Sequence, residues 1–65
     1  MTLDEILKVI DINEKPVIEI KGEPDLKVPY EIDNWLDYEV IDVYSDIDTH
    51  KRTSYIYIKV RKIGN

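Results

Sequence analysis

Tyr38-Glu39-Val40-Ile41-Asp42-Val43-Tyr44 and Thr53-Ser54-Tyr55-Ile56-Tyr57-Ile58-Lys59-Val60-Arg61 decide the fold. In the second segment Ile56, Ile58 and Val60 alternate with Tyr55, Tyr57, Lys59 and Arg61. Successive strand residues point to opposite faces, so this segment reads as a strand with one aliphatic face and one aromatic, basic face. β-Branched and aromatic residues suit such a half-buried pleated surface. The first segment matches it in phase: Ile41 and Val43 are expected to face the way of Ile56 and Ile58. Asp42 and Tyr44 then share the opposite face with Tyr55, Tyr57 and Lys59. Tyr44 beside a tyrosine, and Asp42 near Lys59, are favourable cross-strand pairs. Val40 and Ile41 are adjacent and both apolar, which marks a bulge or a strand start. The connection from Ser45 to Arg52 has no glycine and no Asn-Gly pair, so a tight primed turn is not expected. Either a longer loop joins the strands, or the strands run on into it.

Upstream residues read as cover for the aliphatic face. Thr2 and Glu5 form a T-x-x-E capping box, and Leu3, Ile6, Leu7 and Ile10 make one helical stripe. A helix this short is marginal alone and must dock on the sheet. Asp11 to Lys15 is a polar connection, and Pro16 opens a strand, Val17 to Lys21, with Ile18 and Ile20 on one face. Gly22-Glu23-Pro24-Asp25 is a turn by composition. Leu26 to Tyr30 is extended, and Glu31 to Leu36 fits one helical turn in which Trp35 seals the end of the core. The expected architecture is α+β, a single domain over 1–65. One N-terminal helix packs on a three-stranded, mostly antiparallel sheet that ends in a C-terminal β-hairpin. This is near the minimum for independent stability.

The 65 residues carry a net charge of −5 and no cysteine. The charge opposes general affinity for nucleic acid or anionic membrane. All fourteen acidic side chains lie at or before Asp48, and the five basic ones after Thr49 have no acidic neighbour in sequence. Either the last strand offsets acidic elements within the fold, or it forms a partner surface. Absence of cysteine suits a reducing compartment. The N-terminus does not read as a signal peptide, and no apolar run is long enough to span a membrane.

Chemistry-bearing patterns are sparse. Asp46-x-Asp48-x-His50 alternates like a metal loop, but the glycine and the twelfth-position glutamate of a calcium loop are replaced by Lys51 and Tyr57. Zinc needs more nitrogen and sulfur ligands than one histidine supplies. No phosphate loop can be built from Gly22 and Gly64. The reading is of no catalytic residue, no metal, no cofactor, no small-molecule substrate and no enzyme activity. What remains is Tyr44, Tyr55, Tyr57, Lys59 and Arg61, an outward aromatic and cationic set. It fits a protein partner or homo-oligomer, through this face or through pairing at the last strand's edge. The alternative is nucleic-acid related: single strands on the basic, aromatic strand, or an acidic surface that mimics DNA.

The opening Met1-Thr2-Leu3-Asp4-Glu5-Ile6-Leu7, the strand Val17-Ile18-Glu19-Ile20, the segment Leu36-Asp37-Tyr38-Glu39-Val40 and the closing Tyr55-Ile56-Tyr57-Ile58 resemble small uncharacterised proteins of phages and conjugative elements in Gram-positive bacteria. The resemblance implies a mobile-element context and a cytoplasmic location. It brings no activity and no functional residues.

Overall fold

The computed structural model describes residues 1–64, and the side chains of Ile12 and Asp48 lie outside the described set. The chain forms helix α1 (Leu3–Val9), strands β1 (Pro16–Ile20) and β2 (Leu26–Lys27), then β3 (Tyr38–Asp48) and β4 (Thr53–Lys62). Short 3₁₀ turns cover Ile12–Glu14, Pro29–Glu31 and Trp35–Asp37. The class is α+β.

The capping box starts α1. The Glu5 N–H donates to Thr2 Oγ1 at 3.3 Å, and the Thr2 N–H donates to Glu5 Oε1 at 3.1 Å. Hydrogen bonds from the Thr2 backbone, then from its side chain, hold the Glu5 carboxyl below its usual range. The apolar stripe lands where its spacing directs it. Leu3 and Ile6 are buried with Ile18, Ile20, Ile32, Ile58 and Val60, while Leu7, Ile10, Trp35, Tyr38, Val40 and Ile56 pack around them. Trp35 closes one end, its indole N–H donating to the Pro29 carbonyl at 2.9 Å.

The sheet differs from the three-stranded antiparallel expectation. It has four strands in the order β2-β1-β4-β3, and it is mixed. Gly22, at φ 91°, reverses the chain after β1, so Leu26 and Lys27 can pair antiparallel with Glu19 and Ile18. The chain then crosses on 3₁₀ turns to begin β3, and the hairpin returns β4 parallel to β1, with Ile18 opposite Ile58 and Ile20 opposite Val60. The last strand is therefore interior and not an edge. The physical reason lies in the inner faces of the hairpin. β4 offers Ile56, Ile58 and Val60 in unbroken alternation. The alternation of β3 is interrupted, and Ser45 stands opposite Ile56. Central placement buries the more apolar strand.

Two local readings hold, the strands extending into the connection and the bulge beside Val40, while others change. The strands run on past Tyr44 to Asp48, leaving a turn of residues 49–52 with Arg52 at φ 54°. Glu31 to Leu36 does not form one helical turn. Two separate 3₁₀ turns flank the buried Ile32, and Leu36 is exposed. A register shift between Val40 and Asp42 leaves Ile41 as the extra residue of a bulge. Ile41 is 46% exposed and lines a shallow depression with Lys21, Glu39 and Arg61, so it does not join Ile56 and Ile58. Val43 does pair with Ile58 yet stays 44% exposed. The seven residues of α1 reach about 10 Å, whereas the eleven of β3 extend about 37 Å, so the helix cannot cover the distal hairpin.

Leu3→Ala is expected to remove about 2–4 kcal/mol of unfolding free energy, a large part of what a domain of this length holds, while Ile41→Ala costs below about 1 kcal/mol. Urea unfolding followed by Trp35 fluorescence measures both. Equal costs for the two would contradict the assignment of core and bulge.

Candidate interaction surface

α1 covers the inner face of the sheet, so the outer face is where the remaining side chains gather. Tyr44, Tyr55, Tyr57, Lys59 and Arg61 all stand on it, because the odd-numbered positions of β4 alternate away from Ile56, Ile58 and Val60. Beyond the pair of Glu39 and Arg61, three rows run across the strands. Glu19, Lys59 and Asp42 form one; Val17, Tyr57 and Tyr44 form the next; Tyr55 and Asp46 form the third.

The middle row is aromatic. The Tyr44 and Tyr57 rings stack with centroids 5.1 Å apart and planes at 12°, and Tyr55 leans on Tyr57 at 6.4 Å and 52°. Such pairs add about 0.5–1.5 kcal/mol beyond their buried area. Tyr57 thus covers one side of the Tyr44 ring. β3 is the outermost strand, so no strand lies beside the other side, and Tyr44 is 42% exposed. Partial burial, followed by the carboxylate of Glu19, raises the Tyr44 phenol above its ordinary value of 10.0; Tyr57, Asp42 and Asp46 add to the shift.

The cations of the face are engaged within the chain. Arg61 Nη2 lies 2.6 Å from Glu39 Oε2, and its Nε donates to the same oxygen at 2.8 Å. Lys59 Nζ is 3.9 Å from Glu19 Oε2. Parallel pairing of β1 with β4 brings Glu19 beside Lys59, so the basic strand meets the acids encoded before it. Both pairs are solvent-accessible and contribute little stability, but they offset the two cations that β4 turns to this face.

The open edge of β3 carries a feature that sequence alone did not indicate. Near its start the edge is capped: the Val40 N–H donates to the Met1 carbonyl at 2.8 Å, and Thr2 bridges to Glu39. Beyond the bulge, alternation turns the N–H groups of Val43, Ser45 and Ile47 toward this edge. Two of the three are met by the preceding side chain. Val43 donates to Asp42 Oδ1 at 2.9 Å, and Ile47 donates to Asp46 Oδ1 at 2.8 Å. A partner strand would have to displace a charged acceptor at both positions, a known way to blunt sheet edges. The sequence signal is an aspartate before an aliphatic residue, repeated four positions on. It acquires meaning only once β3 is known to be the outer strand.

Other chemistry gains no geometry. Among the described residues no group of three or more His, Asp or Glu is placed to hold a metal ion. The Asp46-x-Asp48-x-His50 pattern includes Asp48, whose side chain lies outside the described set. A depression of about 490 Å³ between Asn13, Lys15, Arg52 and Ile56 is walled mainly by exposed polar side chains. Among the described residues no helix is long and apolar enough to cross a membrane. Comparison of the chain with protein-family models, with curated proteins and with solved structures finds no match.

Replacing Asp42 and Asp46 together by alanine should expose the edge donors and increase association, read as a rise in mass-averaged size by light scattering at matched concentration. The double asparagine variant keeps both acceptor oxygens and should associate no more than the parent; if alanine also behaves like the parent, the edge is guarded by something else. In an absorbance titration of the folded chain, Tyr44 should ionise above its ordinary value of 10.0, and the difference between the parent and Tyr44→Phe curves should show it. Because the folded-state value is raised, the associated stability is present below pH 10 and is lost as the pH climbs past it.

Proposed function

We propose that the chain is a protein-interaction module without chemistry of its own, working through the outer sheet face. The observation that carries this reading is the stacked Tyr44–Tyr57 pair with Tyr55 beside it, left uncovered on a sheet whose other face holds the core. Tyrosine supplies large amphipathic contact area at low entropic cost and is enriched in protein interfaces. Of the two modes open to it, use of the face is favoured over strand addition, since β4 is interior and the edge of β3 is capped by Asp42 and Asp46.

The nucleic-acid alternative receives less support. Phosphate binding depends on uncompensated cations, and Lys59 and Arg61 each face a carboxylate. The likeness to phage and conjugative-element proteins supports a mobile-element origin and a cytoplasmic setting for the module. Its flanking genes are the observation that bears on both.

Two arms test the reading, each comparing the parent with the double variant Tyr55→Ser, Tyr57→Ser. Sedimentation equilibrium at high micromolar concentration reads self-association against the 7.7 kDa chain mass. Capture on immobilised chain reads partners of other sequence. The variant should lose mass in the first arm or captured protein in the second. Identical behaviour of parent and variant in both arms would remove the outer face as an interaction surface.

A further inference from the structure

The tyrosine row is not a neutral apolar patch, and its electrostatics narrow the partner. Tyr44 presents one ring face to the open side of β3, the other being covered by Tyr57. Asp42 and Asp46 flank it two positions away on the same strand, about 7 Å along β3 in each direction. Their placement is not left to rotamer chance, because Oδ1 of each accepts from the following backbone N–H, at 2.9 and 2.8 Å. The second oxygen of each aspartate has no hydrogen-bond donor among the described residues. Of the cations on the strands of this face, Arg61 is held by Glu39, while Lys59 lies 3.9 Å from Glu19 and stands across the strands from Asp42. An aromatic plane between two tethered carboxylates therefore faces solvent in a chain of net charge −5.

We infer that Tyr44, Asp42 and Asp46 receive an arginine side chain from an extended, basic segment of a partner protein. The guanidinium plane stacks on the free face of Tyr44, its N–H groups donate to one of the two carboxylates, and the other adds attraction through space. A planar cation is favoured over an ammonium, since it can lie flat on the ring and still aim its in-plane N–H groups at a neighbouring carboxylate. A second copy of this chain is a poorer occupant: it brings the same carboxylates, its Arg61 is paired with Glu39, and its Arg52 sits in the turn of residues 49–52 and not in an extended segment. The inference rests on the outer face being an interaction surface, but not on self-association.

The test is an NMR titration of the ¹⁵N-labelled full chain with a Gly/Ser peptide carrying two spaced arginines. Peptides with lysine or with uncharged citrulline in their place serve as comparisons. The arginine peptide should shift amides along Asp42 to Ile47 and weaken with salt. Tyr44→Ser should reduce affinity about three-fold or more, and Asp42→Asn with Asp46→Asn by about five-fold while the edge hydrogen bonds persist. Lysine should bind more weakly and citrulline not measurably. Equal binding of the lysine or citrulline peptide, or an affinity unchanged by Tyr44→Ser, would overturn the inference and leave only general attraction to an acidic chain. Absence of peptide binding, with self-association that Tyr55→Ser, Tyr57→Ser abolishes, would overturn it while the reading of the face stands.

Discussion

Everything in this fold hangs on one contact, the docking of Leu3 and Ile6 onto the aliphatic face made by Ile18, Ile20, Ile58 and Val60. A seven-residue helix does not persist in water alone, and a four-stranded sheet with two open faces would expose its own core residues. Each stabilises the other. Their union fixes which sheet face is inner, and so assigns Tyr44, Tyr55 and Tyr57 to the outside without any direct constraint on them. The capping box at Thr2 and Glu5 matters for the same reason. It starts the helix at the residue that brings Leu3 over the sheet.

The same contact explains why β3 behaves as two strands in one. Near its start it is held on both sides, by β4 and by the Met1 carbonyl on Val40. Past the bulge at Ile41 neither the helix nor the N-terminus reaches it. Val43 and Ile47 are left exposed on the helix side and the tyrosine row stands on the other. A partly apolar strand with one open edge invites association through its backbone. Asp42 and Asp46 answer that by occupying two edge donors with charge. Any partner is then steered from the edge to the side chains of the face, where the same two aspartates flank Tyr44.

Much of this was readable from residues 38–61. Strict alternation in Ile56, Ile58 and Val60 is a strong local signal. So are the stripe of α1 and its capping box, and the pairing of Tyr44 with a tyrosine followed from matching phases. Four features were not readable, for identifiable reasons. Leu26 and Lys27 are too few to show a period, and they count as a strand only because β1 offers them an edge. The adjacent Val40 and Ile41 signal a bulge or a strand start, but not that Ile41 is the residue turned off the inner face, because the bulge reverses the phase of β3 partway along. The interior position of β4 depends on how the chain crosses between β2 and β3, and that crossing leaves no mark in composition. Edge-capping by Asp42 and Asp46 depends in turn on β3 being outermost.

The sequence by itself determined the local periods, and with them the helix, the hairpin and the side of each strand that carries tyrosine and cations. Those are consequences of backbone geometry acting over a few residues. Only the tertiary structure decided which strands are neighbours, and hence that Lys59 meets Glu19 and that Tyr44 has one free ring face. Neighbour choice is settled by burying the most continuous aliphatic face at the centre of the sheet, a comparison among distant segments that no single segment contains.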